Sequence, residues 1–397
     1  MKKRLFSLLM VMVLCISLIA GCAKKNEDDN TTNVTPEVTQ TPDTTEGENT
    51  DGTTTTFGLT PFEERQTLRV GFFAGSPLSI PFYIADMEGF WDELNIDIVY
   101  ETFTNGPAMM EANADWDVAG AGAGGLITGM VGYDVKLIGI SDYETNLALL
   151  AREGSKLVEN PDDPESWKGT TWLYPVGTTA QATLVAALDK VGLDISDVNS
   201  VNMDISSALT AFIGGEGDGL GVWNAVAFNA EDEGFIRVTD AGELGVTAPC
   251  ATVATNKALT EKRDLVKTAF AVFYRTWEWA NESDENMDKA VAYYLENCEE
   301  EGIAVNESIA ERVMARYMCP TFEEAVELMT KTSPDDQGLF TERDLIQAEK
   351  DLLVVMDFFI SQEKYTPEDR TKILTGRYID PSIAVETKEM VDSLGIK

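Results

Sequence analysis

Residues 68–103 read LRVGFFAGSPLSIPFYIADMEGFWDELNIDIVYETF, and the spacing of their apolar residues sets the fold. Leu68 to Phe73 reads as a short strand, while Ile80, Tyr83, Ile84, Met87 and Trp91 recur at the three-to-four spacing of one helical face. Ile96 to Thr102 returns to strand. A strand, helix, strand unit brings the chain back for a parallel pairing. The pattern continues with a helix around Met109 to Ala114, a strand ending at Ala119, a glycine-rich turn, a helix near Ile127 to Val131 and a strand from Val135 to Ile140. The expectation is an α/β fold on a parallel sheet with helices on both faces.

A second set opens after the polar stretch 159–164. Thr171 to Leu173 is a strand, and Ala180, Leu184, Leu188 and Val191 define a helix that begins at Thr178-Thr179 and stops at Gly192. Val198 to Met203, Leu209 to Ile213 and Gly219 to Val222 extend the alternation. From Leu259 the chain is mostly helical. Two α/β units with a helical tail and no long break between them predict two lobes around a cleft.

The chain has 397 residues, 30 Lys plus Arg, 68 Asp plus Glu and no histidine, for a formal charge of -38. Without histidine there is no Ser-His-Asp triad, no Cys-His pair and no HExxH metal site. Neither a metal nor another cofactor is expected. A polyanion is repelled by nucleic-acid phosphates, so nucleic acid is excluded as a partner.

Lys2, Lys3 and Arg4 precede an apolar run from Leu5 to Ala20 that ends in Ile19-Ala20-Gly21-Cys22. The run is shorter than the roughly 20 residues of a spanning helix and ends in small residues, as a cleaved signal peptide does. Residues 1–21 are read as that signal. The four residues at its end resemble the lipobox of bacterial lipoproteins, which implies lipidation at Cys22 and a lipid anchor on the extracytoplasmic face of the cell membrane. Residues 22–66 are acidic and Thr-rich with little to bury, and are expected to form a disordered tether. Cys250, Cys298 and Cys319 remain in the folded part with no CxxC spacing. One bridge, Cys298 to Cys319, stays open, but free buried thiols are the expectation.

In open parallel sheets ligands bind beyond the carboxyl ends of strands, where helix N-termini present unpaired N–H groups. Five loops qualify. The first carries Ser76, able to cap the next helix or touch a ligand. The second, Gly120-Ala121-Gly122-Ala123-Gly124-Gly125, satisfies GxGxxG; a dinucleotide is disfavoured in an exported protein, but bare N–H groups at Gly122 and Ala123 suit any small polar ligand. The third sets Asp142, Tyr143 and Glu144 together at a strand end, either a site for an ammonium group or a solvated turn. The fourth places Thr178 and Thr179 at a helix start, where a carboxylate or sulfonate can be held without arginine. The fifth joins Trp223 to Asn224 directly after a strand.

The order of these pieces is similar to that of periplasmic solute-binding proteins of the aliphatic sulfonate, taurine, nitrate and thiamine-precursor type. The resemblance rests on Leu68-Arg69-Val70-Gly71, on Ile80 to Ala85 with Glu88 to Trp91, on Trp116 to Ala119, on Gly177-Thr178-Thr179, on Gly215 to Gly219 and on Trp223-Asn224-Ala225. It implies a type II periplasmic-binding-protein fold, with lobe 1 over 67–148 and 249–397 and lobe 2 over 149–248. It also implies delivery of a small solute, by a monomer, to an ABC permease and ATPase complex. Ala225 stands where the family has proline and Gly219 where it has alanine. In the strand returning to lobe 1, where taurine-binding relatives keep a carboxylate, this chain has Cys250-Ala251-Thr252, with Thr252 the expected ligand contact, and no arginine lies in the five loops.

A simple alkylsulfonate is therefore disfavoured. The expected ligand is a zwitterion, its acid on Thr178 and Thr179, its amine near Asp142 and Glu144, and Trp223 against its body. Three alternatives share the fold: binding of a sulfonate or a thiamine-precursor pyrimidine, an enzyme, which would have only Asp142 and Glu144 as bases, and a ligand-sensing surface lipoprotein outside transport.

Overall fold

The structure, a computed structural model, describes residues 55–396 except 74, 247, 335–337, 339 and 341. The expected signal peptide, the expected lipidation at Cys22 and the expected tether up to residue 54 lie outside the described residues. No helix among the described residues is long and apolar enough to cross a membrane.

Two five-stranded sheets form the frame. The first contains β1 (Gln66–Phe73), β2 (Ile96–Phe103), β3 (Val118–Ala121), β4 (Val135–Glu144) and β10 (Ala248–Thr255), in the order β2-β1-β3-β10-β4. The second contains β5 (Leu147–Ala151), β6 (Thr171–Tyr174), β7 (Asn199–Asn202), β8 (Gly219–Trp223) and β9 (Ile236–Asp240), in the order β7-β6-β8-β5-β9.

The expectation of wholly parallel sheets is corrected here, because both sheets are mixed. β1 pairs in parallel with β2 and β3, and β6 with β7 and β8. β10, however, runs antiparallel between β3 and β4, and β5 runs antiparallel to β8 and β9. The cause is the double crossing of the chain. It leaves the first sheet at the end of β4, enters the second two residues later as β5, and returns after β9 as β10. Each crossing strand enters its sheet against the direction set by the strand, helix, strand units.

β3, β5, β8 and β10 are buried along their whole length, as strands covered on both faces must be. Helices supply the cover. The Arg263–Asn281 helix lays Phe270, Phe273, Tyr274 and Trp277 onto the first sheet's side, and the Tyr274 hydroxyl donates to the Ile140 carbonyl at 2.7 Å.

The last part of the stretch expected to be tether, residues 55–66, is ordered. From Thr55 the chain is packed: Leu59 is 4% exposed, Phe57 meets Phe90 edge-on, Thr56 Oγ1 donates to Glu93, and Arg65 bonds Asp97 at 2.7 Å. Three apolar residues, Phe57, Leu59 and Phe62, anchor a stretch whose polarity had suggested disorder. Cys250, Cys298 and Cys319 are all free, so the Cys298 to Cys319 bridge is not formed.

Candidate functional site

The carboxyl ends of β1, β3 and β4 face those of β6 and β8, and a cavity of about 30 Å³ lies between them. It is lined by Ser76, Gly122, Glu144, Thr178, Thr179 and Trp223, together with Phe73, Leu78, Gly106, Pro107, Gly124 and Gly125. Toward solvent the cleft continues as a groove of about 700 Å³ that shares Pro107 and runs along Asn105, Val176, Asn202 and Asp204.

Two helices open onto the cavity. The Ala123–Gly132 helix starts after Gly122, which has no side chain to cap it. The Thr179–Lys190 helix starts after Thr178, whose hydroxyl donates backwards to the Pro175 carbonyl at 2.7 Å instead of capping. The leading N–H groups of both helices are thus left for other acceptors, at the positive ends of the helix dipoles, while that of Gln181 bonds the Thr178 carbonyl at 3.2 Å. Ser76 contributes differently, its Oγ accepting from the Leu78 N–H at 3.3 Å.

Opposite charge chemistry occupies the same cavity. Glu144, 7% exposed, accepts at Oε1 from Asn224 Nδ2 at 3.1 Å, while its Oε2 lies 4.0 Å from Cys250 Sγ. Among the described residues no lysine or arginine lines the cavity. Burial, and then the nearby Asp142 charge, push the Glu144 carboxyl up to about 8, with the Asn224 bond opposing. Asn224 is held at φ 46°, in the left-handed region that asparagine tolerates best among residues with a side chain. Trp223 is 5% exposed and its buried Nε1 has no hydrogen-bond partner among the described residues. Buried donors are rarely left unpaired, and Trp223 is one of the residues that line the cavity.

The remaining expected site residues lie around this cavity without lining it. Asp142 shares the Glu144 face of β4, but its Oδ1 accepts from the Met318 N–H at 2.9 Å, and burial raises its carboxyl to about 6. Tyr143 points to the other face, where its hydroxyl bonds Asp351 at 2.6 Å. Thr252 is buried and donates to the Gly139 carbonyl at 3.2 Å. Ala123 is buried between lining glycines, and Asn224 acts by holding Glu144. Gly106 and Pro107 escaped the sequence reading, although the turn Asn105-Gly106-Pro107 follows the carboxyl end of β2 and meets the criterion that selected the other loops.

The NMT1/THI5-like family model matches residues 76–287. A Brucella abortus (strain 2308) protein named "Putative binding protein" is 25% identical over 241 residues, covering 57% of this chain and 71% of its own. The alkanesulfonate-binding protein SsuA from Xanthomonas axonopodis pv. citri, bound to MOPS, superposes with a TM-score of 0.59 at 17% identity, over 76% of this chain and 95% of that one. A mutant of DSZB, a desulfurization enzyme, solved with biphenyl-2-sulfinic acid, superposes with a TM-score of 0.56 at 13% identity, over 82% and 99%. The family match spans more than half of the sequence, and with its two mixed sheets flanked by helices the chain belongs to the NMT1/THI5-like family and has the architecture of periplasmic solute-binding proteins.

Proposed function

We propose that this chain is the solute-binding component of an ABC-type importer, held to the membrane by lipid on Cys22, and that its solute is a small zwitterion. The observation that carries the ligand class is Glu144. A carboxylate buried with no cationic partner is costly, and a ligand ammonium supplies the missing charge. The two uncapped helix N-termini on the same cavity suit the acid group, and Trp223 Nε1 offers that end, or the ligand's body, a further donor. MOPS, found in the Xanthomonas relative, itself joins a sulfonate to an amine.

A cavity of about 30 Å³ holds a water molecule or two. A solute of amino-acid size therefore enters while the sheets are apart and is enclosed when they approach, as hinge closure around a ligand requires. Binding is favoured over chemistry: Cys250 does not line the cavity, and burial pushes its thiol up, away from the nucleophilic thiolate.

A thermal-shift screen with amino acids, aminosulfonates, simple sulfonates, pyrimidines and amines tests the ligand class. A zwitterion at about one hundred times its Kd stabilises the fold by about 2.7 kcal/mol and raises the midpoint. If only acids lacking an amine shift it, the role of Glu144 fails. Membrane fractionation of the full-length Cys22→Ser chain tests the anchor, which predicts release into the soluble fraction.

A further inference from the structure

The loop between the Gln347–Ser361 and Pro367–Thr375 helices reaches across the cleft. Glu363 takes φ 57°, and the N–H groups of Gln362, Glu363 and Lys364 bond back to the carbonyls of Phe358, Ile360 and Phe359. This is a left-handed helix stop, and it fixes where the next two side chains point. Tyr365 shares a 3.0 Å hydrogen bond with Thr128 on the Ala123–Gly132 helix, which ties the loop to the first sheet's side. Lys364 Nζ goes the other way and donates to the Gly177 carbonyl at 2.9 Å, in the turn after β6 of the second sheet.

This lysine is unusually placed. The chain has 68 acidic residues against 30 basic ones, yet no carboxylate among the described residues pairs with Lys364. Its ammonium lies instead 5.0 Å from the Phe359 ring centre and 5.4 Å from that of Tyr365. Gly177 is adapted to receive it. With φ at 85° it occupies a conformation that favours glycine, and a Cβ there would stand 2.5 Å from Lys364 Nζ.

The Gly177 carbonyl immediately precedes Thr178 and Thr179, which line the cavity. An uncompensated carbonyl oxygen beside an anion site repels the anion. An ammonium on that oxygen cancels the repulsion and fixes the turn. We infer that Lys364 is a positioning residue: by holding Gly177 from the opposite side of the cleft it clamps the start of the Thr179–Lys190 helix against the Ala123–Gly132 helix and so sets the anion end of the site. This rests on the reading of the cleft as a ligand site, but its test requires no ligand.

Full-length Lys364→Gln and Lys364→Arg are compared with wild type, without ligand, by amide hydrogen exchange and by small-angle scattering. A hydrogen bond to a charged group has a net value that corresponds to about tenfold or more in population. Lys364→Gln is therefore expected to raise exchange about tenfold at Gln181 and Ala182, whose N–H groups bond the Thr178 carbonyl, and to enlarge the radius of gyration, with the global melting point little changed and Lys364→Arg close to wild type. Unchanged exchange and radius in Lys364→Gln overturn the inference, and so does a loss of protection spread evenly over the chain. If the local effect appears but no zwitterion binds, the clamp stands and the ligand proposal falls. If a zwitterion binds and the local effect is absent, the clamp falls alone.

Discussion

Gly124, on the first helix turn beyond β3, lies directly against Gly177, in the turn beyond β6 of the other sheet. A methyl group built on Gly124 would stand 2.8 Å from the Gly177 carbonyl oxygen and 3.0 Å from Thr178 Cα. Both obstacles are backbone and cannot rotate aside. The two sheets thus meet over the cavity through glycine on both sides, with Lys364 holding the same carbonyl from a third direction.

Gly124→Ala follows as a probe of closure. Alanine is a good helix former, so the first sheet's side of the molecule keeps its stability or gains a little. Only the approach of the two sheets is obstructed, at a cost of about 1 to 3 kcal/mol if the collision is forced. Solute affinity should fall about tenfold or more, with the melting point of the ligand-free chain within a few degrees of wild type. Calorimetric titration and a melting curve on the same sample check both halves.

Stability should fall with rising pH because of Glu144. Its folded-state pKa is raised, from 4.5 to about 8, so the folded chain keeps a proton that the unfolded chain loses near pH 4.5. The unfolded state binds fewer protons throughout that window, and the folded state loses about 1.4 kcal/mol per pH unit relative to it. Asp142 adds the same trend between 3.8 and about 6. In Glu144→Gln the slope between pH 6 and 8 should largely vanish, so the mutant gains on wild type as pH rises. Urea midpoints of both proteins at pH 5, 6, 7 and 8 give the comparison, and parallel curves would count against a neutral Glu144.

Binding of an ammonium should release a proton for the same reason. Below about pH 8 the Glu144 carboxyl must ionise before it can face a cation. Affinity for a zwitterion is then expected to rise by up to about tenfold per pH unit toward pH 8. Titration calorimetry in buffers of different ionisation enthalpy measures the proton count directly.

Trp223 gives a separable test of its donor. Trp223→Phe keeps an aromatic wall but removes the unpaired Nε1–H. Because that donor has no partner among the described residues, its removal should leave stability nearly unchanged or slightly improved. Ligand affinity should drop about five- to tenfold, the range of one hydrogen bond. Equal losses in stability and binding would instead assign the ring to packing.

The sequence revealed the cleft more readily than it revealed its facing groups. The loops after β1, β3 and β6 were legible because Gly, Ser and Thr beside helix starts have a physical use there, whereas Asp142, Tyr143 and Glu144, read as a loop, lie within β4, and Trp223 is the last residue of β8. Alternation along β4 separates Tyr143 from Asp142 and Glu144, but it does not say which set faces the other sheet. Ala248–Thr255 is small and apolar throughout, so nothing in its pattern discloses that it runs antiparallel between two neighbours. Lys364 was beyond reach, since 187 residues separate it from Gly177 and only the tertiary fold joins them.

The most direct measurement is a matched-pair calorimetric titration of wild type and Glu144→Gln with taurine and ethanesulfonate, and with β-alanine and propionate. At least one amine-bearing member should bind wild type well above its amine-free partner, and Glu144→Gln should erase that preference while still folding. Binding of the amine-free acids as tight as their partners, and unchanged in Glu144→Gln, would contradict the pairing of a ligand ammonium with Glu144.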